Sequence, residues 1–348
     1  MRASRLISAG PILGVSQVIA AILPEHRTRR RSVRGTGRAR LQGSYGGEIA
    51  LAPLANEALI KHQLRALKQA CIAEVIIPCG SPDIRNYFQS HHDEGVGISF
   101  GGPIPPRTMV VLAADTLPGR ELRPFAEYHA RSEAPVTVAV GGALRRPSGI
   151  YAVSPEAAAH LEAWLLSGGA AAWGDAETQT FALGDDTVRI ETVEDYLAAT
   201  RVVLAQLGDG PPLLRHIDRG VWSDGPVFIS PGARITGNVL LGRSSSVAPG
   251  ATVAGPTVLG EGTMVCRNAR VESSVIWAGA AVGSSATIVD SLLTECFAVA
   301  PGAVFDHCVG IDRDSAATLP FGTASHGVEY SPRGLAVNHL QAAAMHDS

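Results

Sequence analysis

The stretch that decides the fold is residues 227–311, VFISPGARITGNVLLGRSSSVAPGATVAGPTVLGEGTMVCRNARVESSVIWAGAAVGSSATIVDSLLTECFAVAPGAVFDHCVGI. Aliphatic residues recur in it every six positions at Ile229, Ile235, Leu241, Val247, Val253, Leu259, Val265 and Val271. One five-residue step leads to Ile276, Val282 and Ile288, and a second to Leu293, Val299, Phe305 and Ile311. Random sequence does not hold such a register over this length, and a hexapeptide period means a parallel β-helix in which one residue per short strand points inward. Three inward residues per turn give about five coils, with Gly242, Gly260 and Gly283 expected at tight corners. The flanking segments differ: 208–226 carries glycine, proline and charge without periodicity and reads as a linker, and 312–348 has no hexads and reads as a tail.

Upstream, residues 49–207 alternate between the two other periods. ANEALIKHQLRALKQA places Ala58, Leu59, Leu64, Leu67 and Ala70 at helical spacing, and EVIIPCG comes next as a strand ended by glycine. The unit recurs through VGISF, TMVVLAAD, RPFAEYHARS and PVTVAVGG, and GIYAVSP leads through Ser154 and Pro155 into a further helix. Strands and helices in this order predict an open, mostly parallel α/β sheet of Rossmann-like form, with its crevice at the carboxyl ends of the strands, where Asp115 falls. Within 1–48, residues 7–23 (ISAGPILGVSQVIAAIL) are too interrupted for a bilayer span, and their sequel Pro24–His26 is no cleavage site, so a buried first strand is expected there.

Composition narrows the function classes. With 29 basic and 32 acidic residues the formal charge is -3, which argues against a chain that coats nucleic acid or an anionic membrane over its whole surface. Of the basic residues only Lys61 and Lys68 are lysines. Five cysteines, Cys71, Cys79, Cys266, Cys296 and Cys308, form no CxxC pair and read as buried thiols of a cytoplasmic protein.

Several segments, taken in order, resemble the sugar-nucleotide pyrophosphorylases, and most closely their mannose-1-phosphate guanylyltransferase branch with a C-terminal hexapeptide domain. LAPLANEALIKHQLRALKQACIAEVII is similar to that family's segment "pLlPvaNrPli" with the helix and strand after it, VVLAADTL to "lvlnGDtl", and TVEDYLAATRVVL to "TpedYleanr". The resemblance spans residues 51–311 and implies a nucleotidyltransferase sheet followed by a left-handed β-helix. It also implies an activity, the joining of a sugar 1-phosphate to a nucleoside triphosphate with release of pyrophosphate. In that chemistry a glycine-rich loop wraps the triphosphate, two aspartates hold Mg2+, and lysines bind the phosphates.

Carried over position by position, the pattern is incomplete. Asp115, followed by Thr116 and Leu117, matches the first metal aspartate. The second should stand three residues before Thr192, where Arg189 stands instead, and Glu191 is the nearest carboxylate in the same strand phase. Gly35, Thr36 and Gly37, with Arg38 and Arg40 as the cations beyond, resemble a scrambled triphosphate loop. The second lysine of the family's "KPK" tripeptide is Ile49 here, its base-reading loop is reduced to GGPIPPR, and GGALRRPS with Arg145 and Arg146 replaces its sugar-site lysine segment. The resemblance therefore implies a degraded catalytic centre and a regulatory or scaffold role. Such a chain would bind a nucleotide or nucleotide sugar and partner an active paralogous subunit in a homo- or hetero-oligomer. Two alternatives stay open: a working nucleotidyltransferase using Asp115, Glu191 and Mg2+, and a hexapeptide-repeat acyltransferase with His307 as general base. The arginine run from Arg27 to Arg40 reads first as a solvated arm, with binding of phosphate on a nucleotide, nucleic acid or acidic partner as the alternative; it contains no aromatic residue, which argues against single-stranded nucleic acid in particular. His91 and His92 read as solvated, and Trp222 and Trp277 as packing residues.

Overall fold

The computed structural model describes residues 18–23, 47–78, 82–91, 95–142, 146–158, 160–161, 178–207, 214–311, 317–320, 328–331 and 335–338. They fall into two units: one takes in 18–23, 48–51 and 59–189, the other 52–58 and the chain from 190 onward.

In the first unit the strands are β1 (Ile19–Leu23), β2 (Glu74–Ile77), β3 (Gly97–Phe100), β4 (Met109–Ala113), β5 (Thr116–Leu117), β6 (Val136–Gly141), β7 (Arg146–Val153), β8 (Thr178–Ala182) and β9 (Val188–Arg189). Seven of them form one sheet in the order β8-β6-β7-β4-β1-β2-β3, and β5 pairs with β9 in a separate antiparallel ribbon. All neighbours in the main sheet run parallel except β7, which is antiparallel to both β4 and β6. The expected strand near residue 20 is an interior strand of this sheet, between β4 and β2. The α/β unit thus reaches back beyond residue 49, where the sequence reading began it, because IAAIL has no polar face and is buried at all five positions.

Helix α1 (Leu59–Gln69) buries Leu59, Ile60, Leu64 and Leu67, the i, i+1, i+5, i+8 set of an amphipathic helix, together with one polar residue, Gln63. Helix α2 (Pro82–Ser90) starts on a proline, whose missing N–H costs nothing at a first helical position, and buries only Ile84. Helix α3 (Leu122–Arg131) buries Leu122, Phe125, Ala126 and His129.

The second unit is a parallel β-helix. Three stacks of short strands recur in rotation: Phe228 pairs with Ser246, Met264, Ala281 and Ala298 on one face, and Arg234 with Thr252, Arg270, Thr287 and Val304 on the next. The third stack starts earlier than the sequence suggested. Val221–Ser223, inside the expected linker, already pairs with Val239–Leu241. The inward positions from Leu241 to Phe305 form the core, and Ile229 is 39% exposed because its coil is the open end of the stack.

The turns explain the five-residue steps. At the corner after the second face, Ser273, Asp290 and His307 each adopt a left-handed conformation, with φ of 50°, 41° and 50°. The residue after each corner reaches back one coil. Thr257 Oγ1 accepts from the Ser274 amide, Ser274 Oγ from that of Ser291 and Ser291 Oγ from that of Cys308, so these three buried hydroxyls are satisfied coil by coil. His307 adds a third short step that the sequence reading missed. Leu293 is followed in register by Gly310, not Ile311. A Cβ on Gly310 would lie 2.7 Å from the Phe297 ring, which fills the inward space instead. Gly242, Gly260 and Gly283 serve close approach rather than left-handed turns, since a Cβ on each would meet the next coil's backbone at 2.4–2.6 Å. The expectation of buried thiols holds for Cys308 alone: Cys266 is half-buried, Cys71 and Cys296 are exposed, and Cys79 lies outside the described residues.

Helix α4 (Val193–Ala205) belongs to this unit, and Thr192 and Asp195 cap each other's backbone amides at its start. Tyr196 is fully buried; its hydroxyl donates to the Pro53 carbonyl and accepts from Trp277 Nε1 at 2.9 Å. Trp277 is therefore a packing residue, as expected. No helix among the described residues is long and apolar enough to cross a membrane.

Candidate functional site

The carboxyl end of β4 carries the one chemically suggestive cluster among the described residues. Asp115 follows it, with 14% of its side chain exposed, and Arg189 Nε lies 3.3 Å from Asp115 Oδ2. Register explains the meeting: β5 and β9 pair Leu117 with Val188 and Thr116 with Arg189, which brings the Arg189 side chain to the residue preceding β5. The residue that stands where the sequence reading sought a second metal carboxylate thus neutralises the first.

The corner is held rigidly by groups the sequence reading did not single out. Gln63, fully buried on α1, donates through Nε2 to the carbonyls of Ala113, at 2.9 Å, and Thr116, at 2.8 Å, which flank Asp115. Thr116 Oγ1 donates to the Ser148 carbonyl at 3.0 Å, and Gly149 (φ 83°) leaves room for it, since a Cβ there would come within 2.3 Å of that oxygen. The chain before β9 clamps the loop after β5. Thr187 Oγ1 accepts from the Gly119 amide at 2.9 Å, Asp186 Oδ2 from Arg120 at 2.8 Å, and Glu121 Oε2 from Gly184 at 2.6 Å. Tyr151 adjoins the pair: burial pushes its phenol above the ordinary range, Arg189 lowers it and Asp115 raises it. It is held neutral there.

This donor set does not fit Mg2+. A hard divalent cation takes several oxygens, with carboxylates among them. Among the described residues no three His, Cys, Asp or Glu side chains gather to hold a metal. A guanidinium about 4 Å from a divalent ion would repel it by roughly 8 kcal/mol at an effective dielectric near 20.

Of the other expected site residues, Glu191 is exposed and lies in the second unit, where its backbone amide joins the cap of α4 by donating to Asp195 Oδ2 at 3.2 Å. Gly35, Thr36, Gly37, Arg38 and Arg40 lie outside the described residues, as do Arg145 and His92. Arg146 is exposed at the start of β7. His307 serves as a left-handed corner, its Nδ1 2.7 Å from Asp306 Oδ1. Asn56, part of the segment that resembles the family's asparagine motif, donates to Asp224 Oδ2 at 3.0 Å and to the Leu259 carbonyl at 3.1 Å. Its structural role lies in anchoring the β-helix.

No protein-family model matches the chain, and no curated protein does. Among solved structures the chain is similar to a Bacillus anthracis protein described as a putative glucose-1-phosphate thymidylyltransferase, crystallised in complex with a sucrose. The match has 15% identity, covers 53% of this chain and 94% of that one, and gives a TM-score of 0.37.

Proposed function

We propose that this chain is a sugar-nucleotide pyrophosphorylase-like protein whose catalytic centre is degraded, and that it serves as a regulatory or scaffold subunit in nucleotide-sugar or polysaccharide biosynthesis. The observation that carries this reading is the Arg189–Asp115 ion pair, a fixed cation on the carboxylate that a working enzyme of this kind would reserve for its metal. The loss is not a loosened site. Gln63 Nε2, Thr116 and the 184–187 segment hold the corner with hydrogen bonds from three sides, so the architecture persists without the electrostatics. Removing a metal from phosphoryl-transfer chemistry forfeits transition-state stabilisation worth several kcal/mol, on the order of a hundredfold or more in rate. The remaining role is recognition, of a nucleotide or nucleotide sugar and of an active paralogous subunit.

The test is an assay of pyrophosphate release by the full chain with Mg2+, each nucleoside triphosphate and a panel of sugar 1-phosphates. No turnover above the protein-free blank is expected. Turnover that disappears in Asp115→Asn would overturn the reading in favour of an active nucleotidyltransferase. Retained binding is checked by thermal shift, because a nucleotide sugar that binds only the folded state raises the melting temperature.

A further inference from the structure

Two sets of buried hydroxyls inside the solenoid are bonded differently. Thr257, Ser274 and Ser291, at the turn into the third stack, accept from an amide one coil on and donate to carbonyls of their own turn. Ser223, Ser245 and Thr263 lie at the other end of that stack, where each coil turns into the first face. Ser223 closes the third-stack strand of the first coil. The Phe228 amide donates to the Ser245 carbonyl and the Ser246 amide to that of Thr263, so Val227, Ser245 and Thr263 form one column. Ser223, Ser245 and Thr263 are each at most 1% exposed, and their hydroxyl oxygens have no hydrogen-bond partner among the described residues. The column continues as Ala280 and Phe297, so its polar stretch ends at the third coil.

We propose that the lumen of the first three coils is a binding site for ordered water, with one molecule bridging Ser245 Oγ and Thr263 Oγ1 and a second bonded to Ser223 Oγ. A hydroxyl has one proton to donate and two lone pairs to fill, and burying it with none of them met is costly. Direct bonding along the column is out of reach, because coils repeat at about 4.8 Å and an O–H···O bond spans about 2.8 Å. A water that accepts from one hydroxyl and donates to the next makes two such bonds and covers that rise. Buried waters in proteins occupy this kind of setting, bonded to two to four polar groups that lack other partners. Access is from the open end of the solenoid, where Val227 is only partly buried and Ile229 is 39% exposed. The far end is filled by aromatic rings. Phe297 and Phe305 pack edge-on with centroids 5.8 Å apart, and the Phe297 ring takes the space beside Gly310. The solenoid is thus wet where it begins and dry where it ends. The site rests on the solenoid alone and does not depend on whether the Asp115 corner is catalytic, so its test and the pyrophosphate assay fail separately.

Oxygen-17 magnetic relaxation dispersion on the full chain counts the water molecules that stay inside the fold far longer than surface water does. The double variant Ser245→Ala, Thr263→Val should lose the amplitude of one long-lived water relative to wild type, and Ser223→Ala that of another. Urea unfolding gives an independent reading. Thr263→Val keeps the side-chain volume and should lower the folding equilibrium constant about fivefold, because the bridging water loses a partner. A dry, unpartnered hydroxyl would respond with the opposite sign, since a methyl group in its place removes a desolvation penalty. Because the water is shared, adding Ser245→Ala to Thr263→Val should lower the constant by less than about twofold more. A wild-type chain without long-lived internal water, an unchanged dispersion amplitude in the double variant, a stability gain in Thr263→Val, or fully additive losses would each overturn the proposal.

Discussion

The solenoid and the Asp115 corner reach order by opposite routes. In the solenoid each inward residue is one of many equivalents, and a coil is stabilised by the coil on either side of it. In the α/β unit the corner is built once, from single residues drawn from α1, β4, β7 and the segment ending in β9, each of which no neighbour can replace. Repetition spreads the energy of the fold over many small terms, whereas the corner concentrates it in a few hydrogen bonds. One residue, Arg189, can therefore set the electrostatics of the corner while the fold around it stays whole.

Three substitutions sharpen this contrast, the largest effect lying in the solenoid. Phe305 is fully buried and packs edge-on against Phe297, with centroids 5.8 Å apart. Phe305→Ala should destabilise the unit by about 3–5 kcal/mol through lost burial and the cavity left behind. Ile229→Ala, the equivalent truncation at the open end, should cost less than ~1 kcal/mol, since that residue is already half in water. Urea unfolding of both variants checks this, and equal losses would mean that depth in the stack does not govern stability. In the corner, Gln63→Leu preserves volume but deprives two carbonyls of their donor, and should cost about 2–4 kcal/mol. Hydrogen exchange should then quicken in residues 113–117 of the variant while the solenoid amides keep their protection.

The same contrast decides what could be read from the sequence. A repeated inward position announces itself, so the coils from Leu241 to Phe305 were legible with their five-residue steps at Ile276 and Leu293. The last step was not, because Ile311 has the right chemistry for the inward place and only the Phe297 ring, drawn from the preceding coil, shows why Gly310 takes it. In the α/β unit the alternation of strands and helices fixed the class of sheet, and the apolar run ending at Leu23 pointed to one of its interior strands. Asp115 and Arg189 could each be singled out by position. That they form an ion pair depends on β5–β9 register, which a two-residue ribbon does not reveal in advance. Gln63 escaped notice because helical periodicity counts apolar residues, and a buried amide bonded to two carbonyls interrupts the apolar face without disturbing it. The Gly35–Arg40 stretch lies outside the described residues, so its resemblance to a triphosphate loop stands on the sequence alone.

The smallest expected effect separates the two regions by pH. His129 on α3 is 4% exposed, and its Nδ1 lies 2.8 Å from Thr137 Oγ1 on β6. Burial lowers its pKa below the ordinary value of 6.5, and a backbone hydrogen bond at Val153 opposes the shift only in part. A base whose folded pKa is depressed is neutral in both states above pH 6.5, where its full contribution to stability is present. As pH falls through 6.5 the unfolded chain takes up the proton first, and stability drops until the folded form is protonated as well. One proton sets the limiting slope at about 1.4 kcal/mol per pH unit. His129→Gln removes the titrating group, so the difference between the two unfolding free energies should change below pH 6.5 and stay constant above it. Urea unfolding of wild type and variant between pH 5 and pH 8 reads this directly. The solenoid, whose inward ladder is built of serine and threonine hydroxyls, should contribute nothing to that difference; a parallel pH dependence in both proteins would place the buried proton acceptor elsewhere.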